Sequence, residues 1–130
     1  MKHARRRVLV SLQVICELFL YDLLQAAFGF RAVHARAAQP PRMRKSPAPE
    51  LEVLVPRIVS AASAFYWKPV LCLQRSVVAA QVLRKHGVPA EVVIGCRAVP
   101  FAGHAWVEVA GRVINDSAGY RQKMCILERI

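Results

Sequence analysis

The sequence is short of acid. Eight Asp and Glu stand against 19 Lys and Arg, giving a formal charge of +11 over 130 residues. A surface of that sign attracts acidic partners, whether nucleic acid, anionic lipid or acidic peptide. Yet no aromatic-interleaved basic stripe is present, and the positive charge is scattered over residues 2–7, 31–45, 84–85 and 121–123. Dedicated nucleic-acid binding is therefore not expected. Metal signatures are missing too. Cys16, Cys72, Cys96 and Cys125 lie far apart with no Cys-x-x-Cys pair, so no zinc site is encoded by spacing. No segment repeats itself.

A long charge-free apolar run is also lacking. Residues 8–30 are mostly apolar but carry Gln13, Glu17, Asp22 and Gln25, whereas a membrane span or signal core should be nearly free of charge. The basic residues 1–7, this run and Ala35-Arg36-Ala37 together fit a secretory signal peptide, and disulfides would then become possible. A helical projection weighs against export. Leu9, Leu12, Ile15, Cys16, Phe19, Leu20, Leu23, Ala26 and Ala27 share an arc of roughly 140°, with every polar residue outside it. That pattern predicts a packing helix of a cytoplasmic domain. Contact with a membrane surface through the basic flank is the lesser reading.

What is present describes one folded unit. Hydrophobic residues make up 55% and mean hydropathy is +0.30, enough to bury a core. Residues 31–49, with Pro40, Pro41, Pro47 and Pro49 among basic residues, read as a linker. The expected division is an amphipathic helix and basic linker over 1–49 and a core over 50–130. Helix is expected to resume near Leu51 or at Pro56, with Ile58, Val59, Ala62 and Phe65 on one face, and to stop before Pro69. A second helix is predicted from Cys72 to His86, ended by Gly87, with Arg84, Lys85 and His86 complementing its negative dipole end. The pattern then alternates. Residues 91–97, 104–109 and 112–116 read as strands, 100–103 as a loop, and Gly95 as a bulge or a point of close approach. Helices followed by an antiparallel sheet define the class as α+β.

Three residues of this frame carry chemistry. Cys72 falls in the first turn of a helix, where unpaired N–H groups and the positive dipole end favour a thiolate and can hold an oxyanion. Cys16, on the apolar arc, Cys96, in a strand, and Cys125, in the tail, lack that setting and read as structural. His86 reads as a helix-end surface residue, and His3 and His34 lie in basic segments expected to be mobile. His104 opens a strand. If Val109-Ala110-Gly111 forms a three-residue loop, Glu108 pairs with Arg112, Trp106 with Ile114 and His104 with Asp116, on one face. A two-residue loop at Ala110-Gly111 would set His104 and Asp116 on opposite faces. A thiol, an imidazole and a carboxylate in that order supply nucleophile, base and orienting group for acyl transfer. Trp67 is a candidate cleft wall, although a core aromatic fits it as well. Arg75 is a candidate for holding substrate carbonyl or carboxylate groups, although an ion-paired arginine fits equally.

Trp67-x-x-x-x-Cys72-Leu73-x-Arg75-Ser76, Leu83-Arg84-x-x-Gly87-Val88-Pro89-Ala90, Val93-Ile94-Gly95, His104-Ala105-Trp106-Val107-Glu108-Val109 and Gly111-Arg112-Val113-Ile114-Asn115-Asp116 resemble one family. It is the transglutaminase-like leader peptidase of lasso-peptide biosynthesis, in its short, stand-alone form. The resemblance implies a papain-like cysteine protease that removes the leader of a ribosomally made precursor. Cys72 would be nucleophile, His104 base then acid, and Asp116 the orienter, with Trp67, Arg75 and Trp106 as substrate-binding candidates. It implies no metal and no cofactor. The implied partners are the precursor peptide, a separate leader-recognition protein and an asparagine-synthetase-like, ATP-dependent macrolactam cyclase. Acyl transfer to an amine, and an inactive peptide-binding scaffold, are the alternative functions. The tail over 121–130 carries no motif.

Overall fold

Residues 76–84 are buried without interruption, which a helix achieves only when other elements surround it. This helix is the centre of the fold. The computed structural model describes residues 1–40, 49–116 and 119–130, with Tyr120 as backbone alone. Among these the chain forms α1 (Lys2–Phe28), α2 (Phe30–Ala37), α3 (Glu50–Ala64), α4 (Cys72–Lys85), β1 (Ala90–Ala98), β2 (Phe101–Val109), β3 (Arg112–Val113), α5 (Gly119–Lys123) and β4 (Cys125–Arg129). The strands make one antiparallel sheet in the order β3-β2-β1-β4, so the class is α+β. Val92 and Val107 face α4 from the sheet, and Leu51, Val55 and Val59 of α3 complete the core from the other side.

α1 forms where expected but packs on another face. Val10, Val14 and Leu18 are buried together with Glu17, while Leu9, Leu12, Ile15, Cys16, Phe19 and Leu23 of the apolar arc are exposed. The reason lies in compensation of the acid. Glu17 is buried because Arg36 of α2 binds both its oxygens, at 2.6 and 2.8 Å, and Lys85 of α4 adds a third contact at 2.6 Å. A paired carboxylate can enter a core that an unpaired one cannot.

The segment read as a linker is partly helix. α2 occupies 30–37 after a break at Gly29, and Val33 and Ala37 are buried. Pro41, Pro47 and the basic residues among 41–48 lie outside the described residues. Arg84 binds α2 to the sheet. Arg84 stands in the last turn of α4 as expected, and its guanidinium also donates to the carbonyls of Ala37, Ala90 and Ile130, which makes it a buried tie as well as a dipole partner. His34 pairs with Glu128 at 2.8 Å, so this basic segment is anchored.

α3 begins at Glu50, and Pro56 stands inside it, where it lacks the N–H that would reach the Glu52 carbonyl. Phe65, expected on one face with Ile58, Val59 and Ala62, is the C-cap and 92% exposed. Residues 101–103, read as loop, belong to β2. The tail over 121–130, which carries no motif, forms the end of α5 and all of β4. All five β4 residues are exposed, so no alternation marks that strand.

Candidate active site

The hairpin between β2 and β3 sets the site. Ala110 and Gly111 both have positive φ, 50° and 75°, and form a two-residue turn. Val109 therefore pairs with Arg112 and Glu108 with Val113, one position away from the expected register. An uninterrupted ladder in this register would turn Asp116 away from His104. The ladder stops instead. After Ile114 N–H donates to the Val107 carbonyl at 3.0 Å, the Asn115 side chain replaces the backbone and its Oδ1 accepts from Val107 N–H at 2.7 Å. The chain bends at 115–116, and Asp116 Oδ2 comes to 2.6 Å from His104 Nε2. The expected pair is present, but a side-chain cap and a bend make it, not the expected loop.

With Nε2–H donating to Asp116, the imidazole keeps Nδ1 as its acceptor. Trp106 holds the ring from below. The two rings stack with centroids 6.1 Å apart and 24° between planes. Trp106 itself is fully buried and donates through Nε1 to Glu108 Oε1 at 2.9 Å, so it touches the histidine and not a substrate surface. Its ring fills the space above Gly95, where a Cβ would lie 2.9 Å from the indole. Gly95 is both the close approach and the bulge position, since the β1–β4 register shifts between Ile94 and Gly95. Burial works to raise the Glu108 pKa, but bonds from Trp106 and Arg129 outweigh it and hold the carboxyl below its usual range.

Cys72 is the first residue of α4, after an extended Leu71 that supplies no side-chain cap. The first-turn N–H groups therefore point out of the helix without a capping side chain. Ser76 lies one turn on, on the same face. Its hydroxyl donates to the Ala105 carbonyl at 3.1 Å and accepts from Asn115 Nδ2 at 3.2 Å. One short network thus ties the thiol's helix, the strand carrying His104 and the bend carrying Asp116. Strand alternation sets His104 and Trp106 on the sheet face opposite Val107, which packs in the core with α4; the Ser76 and Asn115 bonds are what join α4 to the His104–Asp116 pair.

α1 contributes residues that the sequence reading did not assign to the site. Asp22 accepts from Tyr66 Oη at 2.6 Å and Gln74 Nε2 at 3.1 Å, and pairs with Lys68 at 2.7 Å. It thereby fastens the start of α4 to α1. Tyr21 lies beside it, its pKa raised by burial, then by the charges of Asp22 and Cys72. The one available signal was an acid at position 22 within an apolar run. Arg75 points to α3, donating to Ser60 Oγ at 2.8 Å, a structural tie and not a free substrate clamp. Trp67 is 72% exposed. Beside His104 opens a cavity of about 520 Å³ lined by Arg97, Gly103, Lys123 and Met124. Among the described residues, no group of three or more His, Cys, Asp or Glu gathers to hold a metal ion.

The sequence profile of the transglutaminase-like superfamily matches residues 18–128. A 59-residue stretch, 45% of this chain, is 41% identical to the microcin J25-processing protein McjB of Escherichia coli. That stretch covers 28% of the McjB chain. No solved structure matches the chain. With the profile spanning α1 to β4, the chain belongs to the transglutaminase-like superfamily.

Proposed function

We propose that this chain is a cytoplasmic cysteine peptidase that removes the leader from a ribosomally made lasso-peptide precursor. The observation that carries the reading is the 2.6 Å His104–Asp116 contact, joined through Asn115 and Ser76 to the helix that opens with Cys72. Its identity with a stretch of a protein that processes microcin J25 supports a peptide substrate.

In this mechanism His104 Nδ1 takes the Cys72 thiol proton as sulfur attacks the carbonyl at the leader's end. Asp116 holds the ring and stabilises the imidazolium that forms. Exposed N–H groups at the start of α4 receive the oxyanion. The C–N bond then breaks, His104 returns its proton to the departing amine of the core peptide, and a thioester remains on Cys72. Water, deprotonated by the same imidazole, hydrolyses it and restores the thiol. The released amine is what an ATP-dependent, asparagine-synthetase-like cyclase would join to a side-chain carboxylate. A separate leader-recognition protein presents the substrate, raising its effective concentration.

The test is incubation with precursor, with and without that recognition protein, followed by mass spectrometry. The reading predicts free leader acid and free core peptide, formed much faster with the partner. Leader joined to an added amine would identify acyl transfer instead, and intact precursor in both mixtures would leave a scaffold.

A further inference from the structure

The outward side of α1 is apolar along most of its length. Leu9, Leu12, Ile15, Phe19 and Leu23 are 43–64% exposed, on the side of the helix opposite Val10, Val14 and Leu18. An 18-residue window of α1 has mean hydropathy 1.6 with 22% of it buried. Exposing such a surface to water is costly, and an apolar patch of this extent marks an interaction site. It continues past the helix. Phe19 packs edge-on against Tyr66 at 5.3 Å, Tyr66 meets Trp67 at 6.1 Å, and Phe65 and Trp67 border a groove of about 580 Å³ between α1 and α3.

The charges around this surface decide its occupant. Arg5 lies on the same stripe as Leu12, Phe19 and Leu23 by helical spacing, Lys2 and Arg31 are exposed close to its two ends in sequence, on α1 and α2, and Arg7 and Arg57 are exposed on the flank between α1 and α3. The acids of these elements are engaged elsewhere. Glu17 is held by Arg36 and Lys85, Asp22 by Lys68, Glu50 by Arg6 and Glu52 by Arg112. An apolar stripe with Phe and Trp at its border, cations at its ends and no unpaired acid among its described residues matches the interface of an anionic bilayer. A neutral protein groove would satisfy the leucines but leave the cations without purpose.

We infer that the α1 face, continued by Phe65 and Trp67, docks this chain peripherally on an anionic membrane surface. The helix lies along the interface and does not cross it. Its other face is committed to the core through Val14, Leu18 and the Glu17 and Asp22 ion pairs. The inference goes beyond the peptidase reading and does not depend on it.

Vesicle flotation with the full chain tests it, using phosphatidylcholine alone and roughly three parts phosphatidylcholine to one part phosphatidylglycerol. The chain should float with the anionic vesicles, float poorly with neutral ones and be released as salt rises. A Leu12→Glu, Leu23→Glu variant replaces exposed residues only. It should lose at least roughly tenfold in binding while its circular-dichroism melt stays with wild type. Arg5→Gln with Lys2→Gln should weaken anionic binding and leave the small neutral binding unchanged. No flotation, equal flotation with neutral vesicles, or retention after an alkaline carbonate wash would each overturn the proposal. So would concentration-dependent dimers abolished by the Leu variant without vesicle binding, which would make the face a protein interface.

Discussion

At the scale of single residues, the candidate site depends on substitutions of one interaction for another. Asn115 takes over a backbone position in the ladder, and that exchange turns Asp116 toward His104. Sequence spacing brought His104 and Asp116 together for the wrong reason. The two-residue turn requires positive φ at Ala110, which alanine adopts at a cost, so nothing in the sequence favoured it over a three-residue loop. Trp106 was legible as important but not as buried, because only the sheet register reveals that its ring lies over Gly95. Asp116→Asn keeps the shape of the contact but removes the charge that stabilises an imidazolium. Cleavage should fall by roughly 10²- to 10⁴-fold with little change in substrate KM, as read by steady-state kinetics. Gly95→Val should drive Trp106 from its place and destabilise the fold by about 1–3 kcal/mol, seen as a lower urea midpoint. An unchanged midpoint would mean that the indole has room to move.

At the scale of elements, α4 was the most readable. Pro69 upstream, Gly87 downstream and apolar residues between them allow little but a helix from Cys72 to Lys85. α1 was readable as a helix but not in its packing face. The buried side includes Glu17, and hydropathy assigns a carboxylate to solvent unless its partners Arg36 and Lys85 are known. β4 was unreadable because its residues gain a strand through pairing with β1, not through alternation. Glu17 gives a pH test of this packing. Burial acts to raise its pKa, and the bonds from Arg36 and Lys85 override that and set it below the usual value. A folded-state pKa below the unfolded one contributes stability above the unfolded value of about 4.3. That stability is lost as pH falls through the folded value. Glu17→Gln should cost roughly 1–3 kcal/mol near neutral pH and flatten the acid limb of the stability profile below about pH 4.3. Denaturant melts across that range check both, and parallel profiles for wild type and variant would contradict the buried pairing.

At the scale of the whole molecule, the surplus of base and the α+β layering were evident from composition and order, and membership of the transglutaminase-like superfamily follows from a match across residues 18–128. How helices and sheet combine into a site was not evident. It depends on α1 reaching the first turn of α4 through Asp22, and on Asn115, which ends the β3 ladder, bonds Ser76 of α4 and turns Asp116 to His104. That arrangement gives four thiols very different surroundings. Cys16 and Cys125 are exposed and Cys96 is half-buried on β1, whereas Cys72 alone opens a helix beside the His104 strand. The most direct measurement is therefore leader removal by single-cysteine variants, followed by mass spectrometry with the recognition partner present. Cys72→Ala should abolish cleavage while Cys16→Ala, Cys96→Ser and Cys125→Ser retain it. Full cleavage by Cys72→Ala would contradict the assignment of this chain as a cysteine peptidase.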